Sequence, residues 1–304
     1  MKINFLRFKT IGIVALFSAA IMIYACKSDG DNVEDDIDDS IDIEDEIADD
    51  FNKAKQVFYS LPSPIETAML MKRAGAKYNE EYLNSIDNIS NYTTNKSMSL
   101  NLGVYSADLS FASMFDQSQA AIKYLTATKR LAEELGILNA IDKSIIVRME
   151  ENINNRDSLM EIISETFMNS NSFLKENDRA ETAAIILVGG WLEGLYIASK
   201  ITKSTSSNKE LVERIIDQRL SLSTLISLLN EYKDDENVSS LIPQMESLKA
   251  IFDQIQVSSS KIEPVTDTES NVTLLKTKTE TSISPEVFDN LCNEIEKIRN
   301  EIVQ

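Results

Sequence analysis

In 304 residues the chain carries 30 basic and 49 acidic side chains, two cysteines and no histidine, with only eight glycines and five prolines. The missing histidine removes Ser-His-Asp and Cys-His relays and the commonest zinc ligand, and two cysteines cannot build a disulfide scaffold or a four-thiolate metal site. A formal charge of -19 without a basic stripe repels phosphate backbones, so neither nucleic acid nor a metal or cofactor is expected as a partner.

The chain opens with Lys2, Arg7 and Lys9, followed by the apolar run Ile11 to Ile23 and then Tyr24, Ala25 and Cys26. This is the layout of an export signal over residues 1–25. The run holds 13 residues, too few to cross roughly 30 Å of hydrocarbon at about 1.5 Å per residue. Ile23-Tyr24-Ala25-Cys26 resembles a bacterial lipobox, which makes Cys26 the expected lipidation site and the mature N-terminus. Simple secretion is the alternative; Ile23 disfavours ordinary cleavage, and Tyr24 is an unusual second lipobox residue. A membrane partner through the lipid anchor follows, since each buried methylene contributes about 0.8 kcal/mol.

Residues 27–50 hold 13 acids and one lysine. Residues 26–40, the lipidated cysteine and an acidic stretch, have too few apolar residues to fold and are expected to form an extended, self-repelling tether. Calcium binding there is disfavoured, because the EF-hand order of ligands is absent. Residues 41–304 show no break in composition and are read as one helical domain, with two sub-bundles as the alternative.

Ile43, Ile47, Phe51, Ala54 and Phe58 recur at helical spacing and predict a helix to about Tyr59. Ser63-Pro64-Ile65-Glu66 is a capping signal for a second helix that stops near Gly75. A looser stretch with Asn84, Asn88 and Asn91 follows, then helices at Lys96 to Phe115 and Gln117 to Leu135, the latter capped by Gly136. Further helices are predicted over 140–152, 156–175, 179–202, 207–232 and 236–257, with Ser207 to Glu210 as another capping box. Residues 258–283 break the rhythm and read as a hairpin or strap. Ser284-Pro285 opens a last helix with Val287, Leu291, Ile295 and Ile298 on one face, and Cys292 beside that stripe reads as a buried thiol. The expected fold is therefore all-α: a multi-helix antiparallel bundle with a short extended segment near the C-terminus. The 34-residue spacing of tetratricopeptide repeats is absent.

Two segments, Asn101 to Phe115 and Ala183 to Tyr196, are apolar around most of their circumference and are expected to be central helices. The second carries Glu193, which fits a core helix better than a membrane span. Asn101, Tyr105 and Asp108 share one stripe on the first, Glu193 and Tyr196 lie close on the second, and Trp191 reads as core. These five polar residues form either the lining of a ligand pocket or a buried packing cluster. The packing reading, in which an Arg, Tyr or backbone group partners Asp108 and Glu193, is preferred because buried carboxylates need partners. Gly190 and Gly194, four apart, are expected to admit a neighbouring backbone.

Phe58 to Tyr78 (FYSLPSPIETAMLMKRAGAKY), Thr94 to Leu125 and Ala183 to Ala198 resemble a group of helical lipoproteins of the Bacteroidota for which no activity, cofactor or catalytic residue is established. The resemblance covers most of the chain beyond the signal and implies phylum and location without chemistry. Lys27 and Ser28 followed by acids look like the signal that sends lipoproteins of that phylum to the outer face of the outer membrane, the periplasmic face being the alternative. Asp39-Ser40-Ile41 and Asp157-Ser158-Leu159 resemble its O-glycosylation tripeptide, a pattern common by chance. The function expected is non-enzymatic: a surface-displayed module for a protein or glycan of the envelope. A structural envelope component and a carboxylate-dependent hydrolase are the alternatives.

Overall fold

The computed structural model describes residues 76–137, 143–204, 209–259, 263–267, 272–276 and 279–304, all within one compact unit, Asp42–Gln304. The expected signal segment, Cys26, the acidic tether, the two helices before Gly75 and the Ser207 cap lie outside the described residues.

The fold is all-α. Two 3-10 turns, Glu80–Tyr82 and Ile86–Asn91, lead into α1 (Asn95–Met114) and α2 (Ser118–Glu134). There follow α3 (Lys143–Glu151), α4 (Arg156–Glu176), α5 (Ala180–Ser204), α6 (Lys209–Glu231), α7 (Glu236–Ser239) and α8 (Ile242–Phe252). Four short strands, β1 (Gln256–Ser259), β2 (Glu263–Asp267), β3 (Val272–Lys276) and β4 (Thr279–Ser282), precede α9 (Pro285–Val303). β1 pairs with β4 and β2 with β3, both antiparallel, so the expected hairpin is present and begins two residues earlier than its sequence signal.

Helix ends follow local chemistry. Thr94 and Ser97 form a reciprocal capping box at the start of α1, and the Ser284 side chain accepts from the Val287 N–H ahead of Pro285 in α9. Three helices end in the same Schellman geometry. The N–H groups of Gln117, Ile137 and Arg179 each reach back five residues, to the carbonyls of Ala112, Ala132 and Leu174. The left-handed residue is Gly136 in one, as its sequence signal predicts, but Asp116 and Asp178 in the others. An L-residue there carries a steric penalty, so Asp178→Gly is expected to raise stability by about 0.5–1 kcal/mol, read from the urea midpoint.

The helix expected over 236–257 is instead two, α7 and α8, broken at Ser240 and Leu241. Pro243 explains the correction: it lacks an N–H, and its ring would meet the carbonyl four residues back, so it starts a new helix.

The core centres on α1 and α5, whose backbones touch. A Cβ on Gly103 would lie 2.1 Å from the Ile186 carbonyl oxygen, and one on Gly189 would lie 2.0 Å from that of Leu100. Gly190 faces Gly103 at ordinary contact distance, whereas Gly194 has nothing within 4 Å, so the pair that admits a backbone is Gly189-Gly190 and not Gly190/Gly194. Residues 180–203 are long and apolar enough to cross a membrane, yet most of that stretch is buried inside the domain, as a central helix requires. Trp191 is buried, as expected, and its indole N–H points at Gln218 of α6 at 3.4 Å.

Antiparallel neighbours flank this pair. A short turn folds α2 back on α1, bringing Tyr124 against Tyr105 with the rings tilted and 6.0 Å between centroids. On the other side α9 runs against α5: Arg299 meets Glu193, Glu296 meets Lys200 and Asn293 meets Lys203. Leu291, Cys292, Ile295, Ile298 and Ile302 of α9 enter the core. Burial pushes the Cys292 thiol up to about 11, as expected for a packed and unreactive cysteine.

Candidate functional site

All five residues singled out in the sequence, Asn101, Tyr105, Asp108, Glu193 and Tyr196, are buried and meet in one region where α1, α5 and α9 converge. Asp108 and Glu193 are both 0% exposed. Such burial is expensive for a charge, so the partners decide what the cluster does.

Glu193 has the strongest partner. Arg299, itself 8% exposed, donates through Nε to Oε2 at 2.9 Å and through Nη2 to Oε1 at 3.0 Å. This bidentate fork matches the planar carboxylate and is the strong class of hydrogen bond. The guanidinium also lies 4.6 Å from the centre of the Tyr196 ring, a cation–π contact that shields the pair from solvent. Tyr196 therefore acts as a wall of the ion pair.

Asp108 is placed differently. Its Oδ2 accepts from the Asn84 N–H at 3.1 Å, while Oδ1 has no donor among the described residues. The Glu193 carboxyl lies near enough to act on Asp108 electrostatically. Burial, reinforced by the Glu193 carboxylate, holds the Asp108 carboxyl well above the usual range, with Arg299 and the Asn84 N–H acting against it. Glu193 is raised less, because Arg299 offsets the burial.

Asn101 bridges three elements. Its Nδ2 donates to Ser97 O and to Ile302 O, each at 2.9 Å, and its Oδ1 accepts from Asn84 Nδ2 at 3.3 Å. Tyr105 donates to Ser85 O at 2.8 Å, fastening the second 3-10 turn to α1. Each of these groups is consumed by the fold itself.

Two members of the network were not legible as such in the sequence. Asn84 donates to Tyr92 Oη and Asn101, accepts from Asn88, and offers its backbone N–H to Asp108. An asparagine in an Asn-rich stretch carries no signal that it will be a hub. Arg299 follows Ile295 by four residues, on the edge of the apolar stripe of α9, and that charge beside a core face was the available clue.

Chemically the cluster joins and neutralises. Hydrolysis by two carboxylates needs them flanking the scissile bond, roughly 5–9.5 Å apart; here both are 0% exposed and Glu193 is held in the Arg299 fork. Among the described residues no three Cys, Asp or Glu side chains converge as a metal ligand set.

No protein-family model matches the chain, and no curated protein or solved structure matches it significantly.

Proposed function

We propose that the protein is a lipoprotein of the outer membrane, anchored through Cys26, that displays its helical domain at the cell surface as a non-enzymatic module for a protein or glycan of the envelope. The carrying observation is Ile23-Tyr24-Ala25-Cys26 directly behind a basic start and a short apolar run, and ahead of an acidic tether. The closed pairing of Glu193 with Arg299 and of Asn101 with Ile302 supports the packing reading of the polar cluster. On that reading, partner recognition belongs to the outer surface of the helices.

A second reading, a structural component of the envelope, is supported by the same pairing, since a domain whose polar core serves only its own packing requires no ligand. The test of the anchor is metabolic labelling with palmitate. The wild-type chain is expected to take up label and a Cys26→Ser variant to lose it; an unlabelled wild-type chain defeats the proposal. Protease added to intact cells should digest the anchored protein, and full protection would instead place it on the periplasmic face.

A further inference from the structure

Three buried ionisable groups meet where α9 crosses α1 and α5, and only one of them is a cation. Arg299 gives its fork to Glu193. Lys200 on α5, which lies over the Tyr196 ring, is taken by Glu296 of α9 at 2.5 Å. Two ionised carboxyls at zero exposure facing one guanidinium would leave a net negative charge in the core, which the interior does not tolerate. Asp108 Oδ1 is reached by no described donor, and the Glu193 carboxyl lies near enough to raise the Asp108 carboxyl. A hydrogen on Asp108 answers both problems: it cancels the surplus charge and turns the orphaned oxygen into a donor.

We propose that Asp108 and Glu193 bind one proton between them at neutral pH, carried on Asp108, and that this proton is part of the clasp fastening the C-terminal helix to the core. The clasp comprises the Arg299 fork on Glu193, Asn101 Nδ2 donating to Ile302 O, and Tyr92 Oη donating to Val303 O at 3.1 Å. Asp108 closes it from α1 by donating to Glu193 and accepting the Asn84 N–H, and Asn84 in turn holds Asn101 and Tyr92.

The surroundings add no competing titration near neutrality. Tyr105 on α1, Tyr124 on α2, Tyr92 after the second 3-10 turn and Tyr196 on α5 are all pushed upward by burial and stay neutral. Tyr78 is raised to about 12, and Glu80 beside it adds only further negative potential towards these phenols. Arg299 on α9 is held charged by Glu193. The two carboxyls titrate as a pair and share one proton.

The linkage has a definite sign. Asp108 is protonated when folded and ionised when unfolded, so folding takes up a proton. Its contribution is fully present below the unfolded carboxyl range and falls as pH rises, until the folded pair itself releases the proton. Because the chain has no histidine, the window from about pH 5.5 to 7.5 is nearly silent otherwise.

The test is urea unfolding of the full chain across that window, wild type beside Asp108→Asn. Asparagine keeps the shape, accepts the Asn84 N–H and donates permanently to Glu193. The wild-type folding constant is expected to drop about tenfold per pH unit, and that of the variant to stay flat and exceed wild type at the upper end. Infrared spectra of the folded wild type at neutral pH should carry a protonated-carboxyl band that the variant lacks. A flat wild-type profile, an absent band, or an Asn variant less stable than wild type at the upper end would each overturn the proposal, since each means that Asp108 is ionised in the fold.

Discussion

Gly189→Ala is expected to destabilise the domain by about 3 kcal/mol or more, the upper range for an overpacked core. The added methyl would stand 2.0 Å from the Leu100 carbonyl oxygen and 2.8 Å from its carbon, both backbone atoms of a helix interior. No rotamer can relieve that contact, so α1 and α5 must separate and open voids along their close-packed seam. Gly103→Ala meets the reciprocal obstacle at the Ile186 oxygen and should behave alike. Gly194→Ala, in open space on the same helix, is the control; there alanine gains helix propensity and should be neutral or stabilising by up to about 1 kcal/mol. Urea midpoints of the three variants decide the matter, and equal values for Gly189→Ala and Gly194→Ala would refute the close approach.

Arg299→Met should cost about 3–5 kcal/mol near neutral pH, the usual range for breaking a buried ion pair from one side. Methionine replaces the apolar stem but leaves Glu193 and Asp108 sealed together with no cation. Both carboxyls are then raised in the fold, so stability is fully present below the ordinary carboxylate range and lost as pH rises. The deficit should therefore shrink on acidification, and the pH profile should be steeper than that of the wild type. Thermal or urea unfolding at mildly acidic and mildly alkaline pH measures this, and a deficit independent of pH would show that packing, not charge, is what Arg299 supplies. The two substitutions attack different parts of one junction. Gly189 sets how near α1 and α5 come, and Arg299 neutralises the carboxyls enclosed when α9 closes over them.

Sequence periodicity located α1, α2, α5, α6 and α9 to within a few residues because each repeats apolar side chains at helical spacing, and it picked α1 and α5 as central because they are apolar nearly all round. It overran at Pro243, where apolar spacing continues through a residue that cannot continue the hydrogen-bond ladder. It chose the wrong glycine partner for Gly190, since Gly194 and Gly189 differ only in which side of the helix another backbone happens to occupy.

By itself the sequence determined the helical class and the polar residues that would be buried, since these depend on local spacing and composition. Tertiary structure alone decided that Asp108 and Glu193 are buried in one cluster, that Arg299, more than a hundred residues from Glu193, pairs with it, and that Asn84 ties the cluster together. The reason is physical: whether a buried carboxyl is ionised or protonated depends on which donors three separate helices bring within about 3 Å, and no local pattern encodes that distance.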